Sequence, residues 1–242
     1  MPTVVPSDTP SWAFWSAPFE PFPPVAEPAP VTAVEVDRDA MAAAFAAQTV
    51  SAMSAFSYTP PAKLRSGGIG ARELARIAKA AQADGAVVRI TLETAYSAGL
   101  LAVDVDRVVP AEQYDTWTAQ EPAEQFAELL QAWRSLGLIP SQARDEDNKA
   151  LPAVVGMPPC DGCLQARHGL LAAAATLPGG QGVKVATDLA PLVRWHRPFA
   201  HPTAQDETLF AAAIREAELL GVIARGALSS SAPPCWPTTR KG

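Results

Sequence analysis

Two short segments far apart in the chain follow the same pattern, and this internal repeat constrains the fold more than any other feature. In each segment a helical pattern ends at a glycine, two apolar residues follow, and a strand-like run begins. The segments are 96–101 and 218–223. A glycine just past a helix commonly adopts the left-handed conformation that stops the helix. The repeat therefore predicts two units built on one plan.

The elements around the first glycine are predicted from periodicity. Apolar residues recur at i, i+3, i+4 and i+7 from Leu74, which predicts a helix over 71–82, and a second helix over 86–98 follows a turn. The run 101–106 alternates apolar and polar residues, and Val108 begins its return partner. A helix is also predicted before them, over 39–56. The order of a helix, a short helix-turn-helix and a small β-ribbon is typical of a winged-helix unit.

The predicted fold class is mainly α with small β-ribbons (α+β), arranged as tandem winged-helix-like units. The first 30 residues hold nine of the 24 prolines, a density that excludes regular structure and predicts a tail. The aromatic residues among these prolines leave open that the tail docks onto a partner or onto its own domain. The predicted organisation is a disordered Pro-rich tail over 1–37, a first winged-helix-like domain over 38–139, a linker over 140–163, a second such domain over 164–230 and a disordered C-terminal tail over 231–242.

The composition of the chain and its targeting signals limit the classes of function that the sequence allows. With 48% hydrophobic and 18% charged residues most of the chain should fold, and a net charge of −6 argues against a broad basic face for nucleic acid. The first basic residue is Arg38, so a secretory signal is not predicted. The uncharged stretch 40–62 is too poor in large apolar residues to span a membrane. Three cysteines without an export signal predict a reducing, cytoplasmic location without disulfides.

The familiar catalytic motifs are missing. The glycines at 180–182, with the lysine after them, lack the spacing and the hydroxyl of a phosphate-binding loop. The run 67–70 lacks the third glycine of the G-x-G-x-x-G dinucleotide fingerprint and the strand that precedes it. Neither a nucleophile elbow nor a zinc-protease helix is found. The sequence therefore predicts a protein that is not an enzyme and that has no cofactor and no small-molecule substrate.

One group of residues has metal-ligand character. Cys160 and Cys163 are spaced as a Cys-x2-Cys pair, and His168 follows at the spacing of a zinc knuckle. The fourth ligand position is Ala173, so the knuckle is incomplete. We therefore predict no metal site and favour two ordinary thiols in a loop, with zinc binding and redox chemistry as the alternatives.

Candidate nucleic-acid contacts come from two places. The helix over 86–98 offers Arg89, but Glu93 on the same helix offsets its charge. A denser cluster precedes it, formed by Lys63, Arg65, Arg72, Arg76 and Lys79. Cations grouped on one helix face are typical of phosphate contacts, although a solvated helix surface has the same appearance.

Several stretches resemble a known family. They are Leu64-Arg-Ser-Gly-Gly-Ile-Gly-Ala-Arg-Glu-Leu-Ala-Arg76, Ala98-Gly-Leu-Leu101, Gln113-Tyr-Asp-Thr-Trp117, Pro122-Ala-Glu-Gln-Phe-Ala-Glu-Leu-Leu-Gln-Ala-Trp133 and the run 215–229. Together they resemble the actinobacterial helicase-associated proteins, which are related to the N-terminal region of XPB-type DNA helicases. The resemblance covers roughly residues 60–230. It implies a non-catalytic module that binds DNA or a helicase or DNA-repair partner.

Two hypotheses of function follow. The first is a helicase-associated winged-helix module that binds DNA, a DNA-repair partner or both. The second is a protein–protein interaction scaffold without DNA affinity. Neither predicts a membrane partner.

Overall fold

The computed structural model describes residues 28–29, 34–155, 159–160, 162–177, 181–183, 186–196, 204–224 and 226–228. This part of the chain is mainly helical with small antiparallel sheets, which confirms the predicted α+β class. Its helices are α1 (Val34–Tyr58), α2 (Ala71–Ala81), α3 (Gly85–Ser97), α4 (Gln113–Thr118), α5 (Pro122–Ser135), α6 (Cys163–Ala175), α7 (Ala190–His196) and α8 (Ala204–Leu219), with a 3-10 helix (Ala186–Leu189) before α7.

Three two-stranded antiparallel sheets complete the described elements. Their strands are β1 (Pro28–Ala29), β2 (Leu101–Val103), β3 (Val108–Pro110), β4 (Gly182–Val183), β5 (Ile223–Ala224) and β6 (Ala227–Leu228). The pairs are β1 with β4, β2 with β3 and β5 with β6. In the β2–β3 ribbon Ala102 lies opposite Val109, so the segment that begins at Val108 is the return partner of the predicted strand. A single bridge between Ala62 and Arg107 places an extended segment beside this ribbon.

Two parts of the range predicted as a disordered N-terminal tail have regular secondary structure. Pro28–Ala29 pairs with Val183 and Gly182, and α1 begins at Val34, inside the range predicted to be disordered. At these positions strand pairing and helical hydrogen bonds therefore form despite the proline content of the segment. The rest of the predicted tail, and the predicted C-terminal tail, lie outside the described residues.

The internal repeat is confirmed at the level of single hydrogen bonds. Gly99 and Gly221 have φ angles of +76° and +66°, the left-handed conformation that ends a helix. Beyond them, the N–H of Leu100 donates to Ala95 and that of Val222 to Ala217, both at 2.8 Å. Each glycine is followed by a β-hairpin. The shared sequence pattern therefore specifies the same Schellman-type stop in both halves.

The apolar residues form two main cores, and three helices contribute to both. The first core lies among α1, α2, α3, α4 and the β2–β3 ribbon, and the second lies among α6, α7, α8 and β5. Phe45 of α1, Ile90 of α3 and Trp133 of α5 belong to the second core, whereas Phe56 of α1 belongs to the first. The two halves are thus joined through the helices of the first half.

The segment predicted as a linker packs against both halves. Ile69 and Ala153 exchange two backbone hydrogen bonds of 2.8 and 3.0 Å, and Ala153 and Val154 are buried in the first core. Ser141 is also buried, and it contacts α8 through Glu216. Residues 140–155 of this segment therefore contact helices of both halves.

Candidate nucleic-acid interface

The five predicted cations lie together on α2 and on the turn that precedes it. We call this set the α2 basic surface: Lys63, Arg65, Arg72, Arg76 and Lys79. Arg65, Arg72 and Lys79 are exposed, whereas Lys63 and Arg76 are half-buried. The opposite side of α2 buries Leu74 and Ile77 in the first core. The amphipathic pattern of the helix thus presents its cations to solvent.

A tight turn positions the cations before α2. The N–H of Leu64 donates to the carbonyl of Gly68 at 2.9 Å, which closes the turn that carries Arg65. Gly68 has a φ of +70°, and a Cβ there would lie 2.1 Å from the carbonyl oxygen of Val155. A glycine is therefore required for both conformation and space. The turn is consequently held against the 140–155 segment.

Arg76 is the cation of this surface with the most protein contacts. Its Nη2 lies 2.9 Å from Glu73 Oε2 in an ion pair, and it donates to the carbonyl of Thr59 at 2.8 Å. Glu73 therefore offsets part of the positive charge of α2. The exposed Arg65, Arg72 and Lys79 are accordingly the stronger candidates for contacts with an anion.

The ribbon next to this surface has the opposite character. Asp104, Asp106 and Arg107 are all exposed, and the guanidinium of Arg107 donates to the carbonyl of Pro60. Two carboxylates against one engaged guanidinium repel phosphate more than they attract it. An approaching polyanion would therefore meet favourable charge on α2 and not on the ribbon.

Arg89 does not belong to the interface, so the prediction that it contacts DNA is wrong. Its side chain is only 4% exposed, and it donates to the carbonyls of Leu151 at 3.0 Å and Pro152 at 3.2 Å. Burial lowers the pKa of Arg89, and the nearby carboxylate of Glu93 opposes that shift. Arg89 thus fastens the 140–155 segment onto α3 and cannot reach a phosphate.

Glu93, one helical turn further along α3, also binds the 140–155 segment. Its Oε1 accepts the N–H of Val154 at 2.8 Å, and the side chain is buried. Burial raises the pKa of Glu93, while the hydrogen bond from Val154 and the charge of Arg89 oppose the rise. The one signal for this arrangement in the sequence is a pair of opposite charges at i and i+4 in an otherwise uncharged helix.

Sequence reasoning missed a buried ion pair within the second half. Arg167 on α6 and Glu216 on α8 are 1% and 0% exposed, with Nη2 and Oε2 3.1 Å apart. Arg167 also donates to the carbonyls of Leu136 and Leu138, and its guanidinium lies 5.3 Å from the ring centre of Trp133. Burial lowers the pKa of Arg167, which Glu216 opposes. These contacts satisfy the pair internally and indicate a structural role.

The cysteine group differs from its predicted form. Cys160 and Cys163 are joined in a disulfide, so the prediction of a chain without disulfides is wrong. Helix α6 begins at Cys163 and brings the two residues within bonding distance, with their Cα atoms 5.5 Å apart. His168 lies further along α6, and the described residues contain no cluster of three or more His, Cys, Asp or Glu that could hold a metal. As a disulfide the two sulfurs cannot act as thiolate ligands.

A groove of about 500 Å³ lies between α1 and α4. Tyr58 at its edge is 92% exposed, and within it Ser57 Oγ donates to Tyr114 Oη at 2.8 Å. The lining residues are Val50, Met53, Ser54, Ser57, Tyr58, Tyr114, Trp117, Thr118 and Gln125. These side chains are aliphatic, thioether, aromatic, hydroxyl or amide groups, so the groove offers apolar contacts and neutral hydrogen-bonding partners.

Comparisons with models of protein families, with curated proteins and with solved structures found no match to this chain. Among the described helices, none is both long and apolar enough to cross a membrane.

Proposed function

We propose that the chain is a non-catalytic module of two winged-helix-like units that contacts DNA phosphates through the α2 basic surface. The cluster of five cations on one exposed helix face and its adjoining turn carries this proposal. The family resemblance adds a DNA helicase or a DNA-repair factor as the partner of this module.

The order of elements supports the winged-helix part of the proposal. In the first half, α1, an extended segment at 62–63, α2, α3 and the β2–β3 hairpin follow one another. In the second half the order is α6, β4, α7, α8 and the β5–β6 hairpin. Helix, extended segment, two helices and a hairpin are the parts of a winged-helix unit in their usual order.

The burial of α3 changes which surface would meet DNA. In a helix-turn-helix protein the second helix of the motif enters the major groove. Here α3 occupies that position, but it is buried from Val87 to Ala95. The proposed contacts are therefore with phosphates, and they are made by α2 and its preceding turn. Such contacts fix position and affinity but carry no base sequence information.

A matched pair of triple variants tests this surface. Arg65→Gln/Arg72→Gln/Lys79→Gln removes its three exposed cations, while a control with Arg134→Gln, Lys149→Gln and Arg215→Gln makes the same change in net charge elsewhere. Anisotropy of labelled duplex, forked and single-stranded DNA measures binding at low salt. The surface variant should lose about tenfold or more in affinity and the control about twofold or less. Equal losses would mean that overall charge, not this surface, governs binding.

The second candidate function is a protein-interaction scaffold, and the groove between α1 and α4 favours it. The elements that line the groove carry the exposed acids Asp115, Glu121 and Glu124 beside the aromatic Tyr58 and Trp117. An apolar partner segment flanked by basic residues would complement this surface. This function predicts no DNA binding at low salt. It also predicts that such a peptide quenches or shifts the tryptophan fluorescence of the wild type but not that of Trp117→Leu. The two results together would establish this function instead.

A further inference from the structure

The disulfide between Cys160 and Cys163 has a feature that a merely structural cross-link does not need. It closes a loop of only four residues, so it removes little conformational freedom from the unfolded chain compared with a long-range cross-link. A Cys-x-x-Cys pair at the start of a helix is instead the arrangement used in thiol–disulfide exchange. This inference is independent of DNA binding.

The two sulfurs are placed differently. Cys163 is the first residue of α6 and is only 3% exposed, and it lines a small gap together with Ile139 and Arg167. Cys160 precedes the helix and is half-buried, held by its N–H donating to the carbonyl of Gly137 at 2.7 Å. An incoming thiol therefore reaches Cys160 more readily than Cys163.

We propose that Cys160 and Cys163 form a redox-active pair that exchanges with small thiols of the glutathione class, with Cys160 as the attacked sulfur. A thiolate attacks Cys160 Sγ, a mixed disulfide forms, and the bond to Cys163 Sγ breaks. Cys163 leaves with the electron pair, and the amide N–H groups of the first turn of α6 stabilise the resulting thiolate. A second thiol then attacks the sulfur of the bound small thiol, which releases Cys160 and a small-molecule disulfide. Two thiols are oxidised, and the protein gains two electrons and two protons.

The oxidation state of this pair affects how firmly α6 is held to the residues that follow α5. Cys160 is tied to Gly137, and Arg167 on the next turn of α6 donates to the carbonyls of Leu136 and Leu138. Reduction breaks the disulfide, and the contact between Cys160 and Gly137 is then joined to α6 only through the backbone of residues 160–163. The oxidised form should therefore unfold at a higher denaturant concentration than the reduced form.

The test uses the full chain with Cys235→Ser, which leaves only the proposed pair. The protein is equilibrated with glutathione buffers from fully reduced to fully oxidised, from both directions, then acid-quenched and labelled with N-ethylmaleimide for mass spectrometry. We expect a reversible change between no label and two labels. With Cys163→Ser added, Cys160 should form a glutathione adduct at least about tenfold faster than Cys163 does in the Cys160→Ser chain, because Cys163 is buried.

Four results would overturn the proposal. A pair that stays oxidised in excess reduced glutathione until urea is added is a structural cross-link. A reduced pair that never re-oxidises is not a redox pair, and stoichiometric zinc uptake that blocks re-oxidation would assign the reduced thiols to a metal. Equal adduct rates at the two cysteines would contradict the assigned direction of attack. The reversibility measurement needs neither cysteine variant, so it decides the question even if one of them fails to fold.

Discussion

Trp133 Nε1 donates a hydrogen bond of 2.9 Å to Glu216 Oε2, and this contact joins α5 of the first half to α8 of the second. The same carboxylate accepts from Arg167 and from both the backbone N–H and the hydroxyl of Ser141. The three donor residues around Glu216 come from three different parts of the chain. The carboxylate is therefore the point at which α5, α6, the 140–155 segment and α8 meet.

Replacing Glu216 should be among the most damaging single changes in the chain. Glu216→Ala leaves the guanidinium of Arg167 buried without its counter-charge, which costs about 3–5 kcal/mol of stability. Urea denaturation monitored by circular dichroism measures the difference. Arg215→Ala, at the exposed neighbouring position, serves as the control and should stay within about 0.5 kcal/mol of the wild type.

A double variant separates the charge from the packing. Arg167→Met with Glu216→Leu removes both charges together, so it should recover a large part of the stability lost by Glu216→Ala alone. If Glu216→Ala costs less than about 1 kcal/mol, the carboxylate is not compensating a buried cation, and the described network does not hold the two halves together.

Glu93 makes a prediction about pH. Because burial raises its pKa in the folded chain, the native state binds more protons than the unfolded state above about pH 4.5. Stability from this group is therefore present below that pH and is lost as the pH rises through the raised pKa. In Glu93→Gln the side chain can still accept the N–H of Val154, but it no longer titrates.

The measurement is the stability of Glu93→Gln minus that of the wild type across pH. This difference should grow as the pH rises from about 4.5 and then level off once Glu93 is ionised in the folded protein. Taking the difference removes the parallel contribution of Glu218, whose pKa burial also raises. A difference that shrinks with rising pH would mean that the charge of Arg89 outweighs burial.

Two glycines give opposite predictions for the same substitution. Gly68→Ala should destabilise the protein by about 2 kcal/mol or more, because its φ is left-handed and two carbonyl oxygens occupy the space of a Cβ. Gly85→Ala, at the start of α3, meets no atom within 4 Å and should gain about 0.5 kcal/mol. Thermal unfolding of both variants checks this. Equal effects would contradict the described packing of the turn before α2.

Sequence periodicity predicted the local elements well, for physical reasons visible in particular residues. Pro122 begins α5 at a first helical position, and Gly99 and Gly221 end their helices as expected, because these residues act through their own backbone. The ribbon of β2 and β3 was predicted from the alternation of apolar and polar residues in its first strand. The short helix α4 and the β1–β4 pair were missed, since each is too short to show a period.

Periodicity could not predict which polar residues are buried. Arg89 and Glu93 lie on a helix that is covered on all sides, so no apolar stripe marks an outer face. Arg167 and Glu216 are 49 residues apart and compensate each other only after α6 and α8 pack. The α2 basic surface was found because α2 does have one buried face and one solvated face. Long-range pairing of this kind is decided by tertiary packing.

The most direct test of the proposed DNA contact is the salt dependence of binding by the unmodified chain. Fluorescence anisotropy with labelled duplex DNA gives the association constant at each salt concentration. If four or five cations of the α2 basic surface neutralise phosphates, the logarithm of that constant should fall against the logarithm of salt with a slope of about −3.6 to −4.5. No binding at the lowest salt, or a slope near zero, would contradict the account and leave the interaction scaffold as the function of this fold.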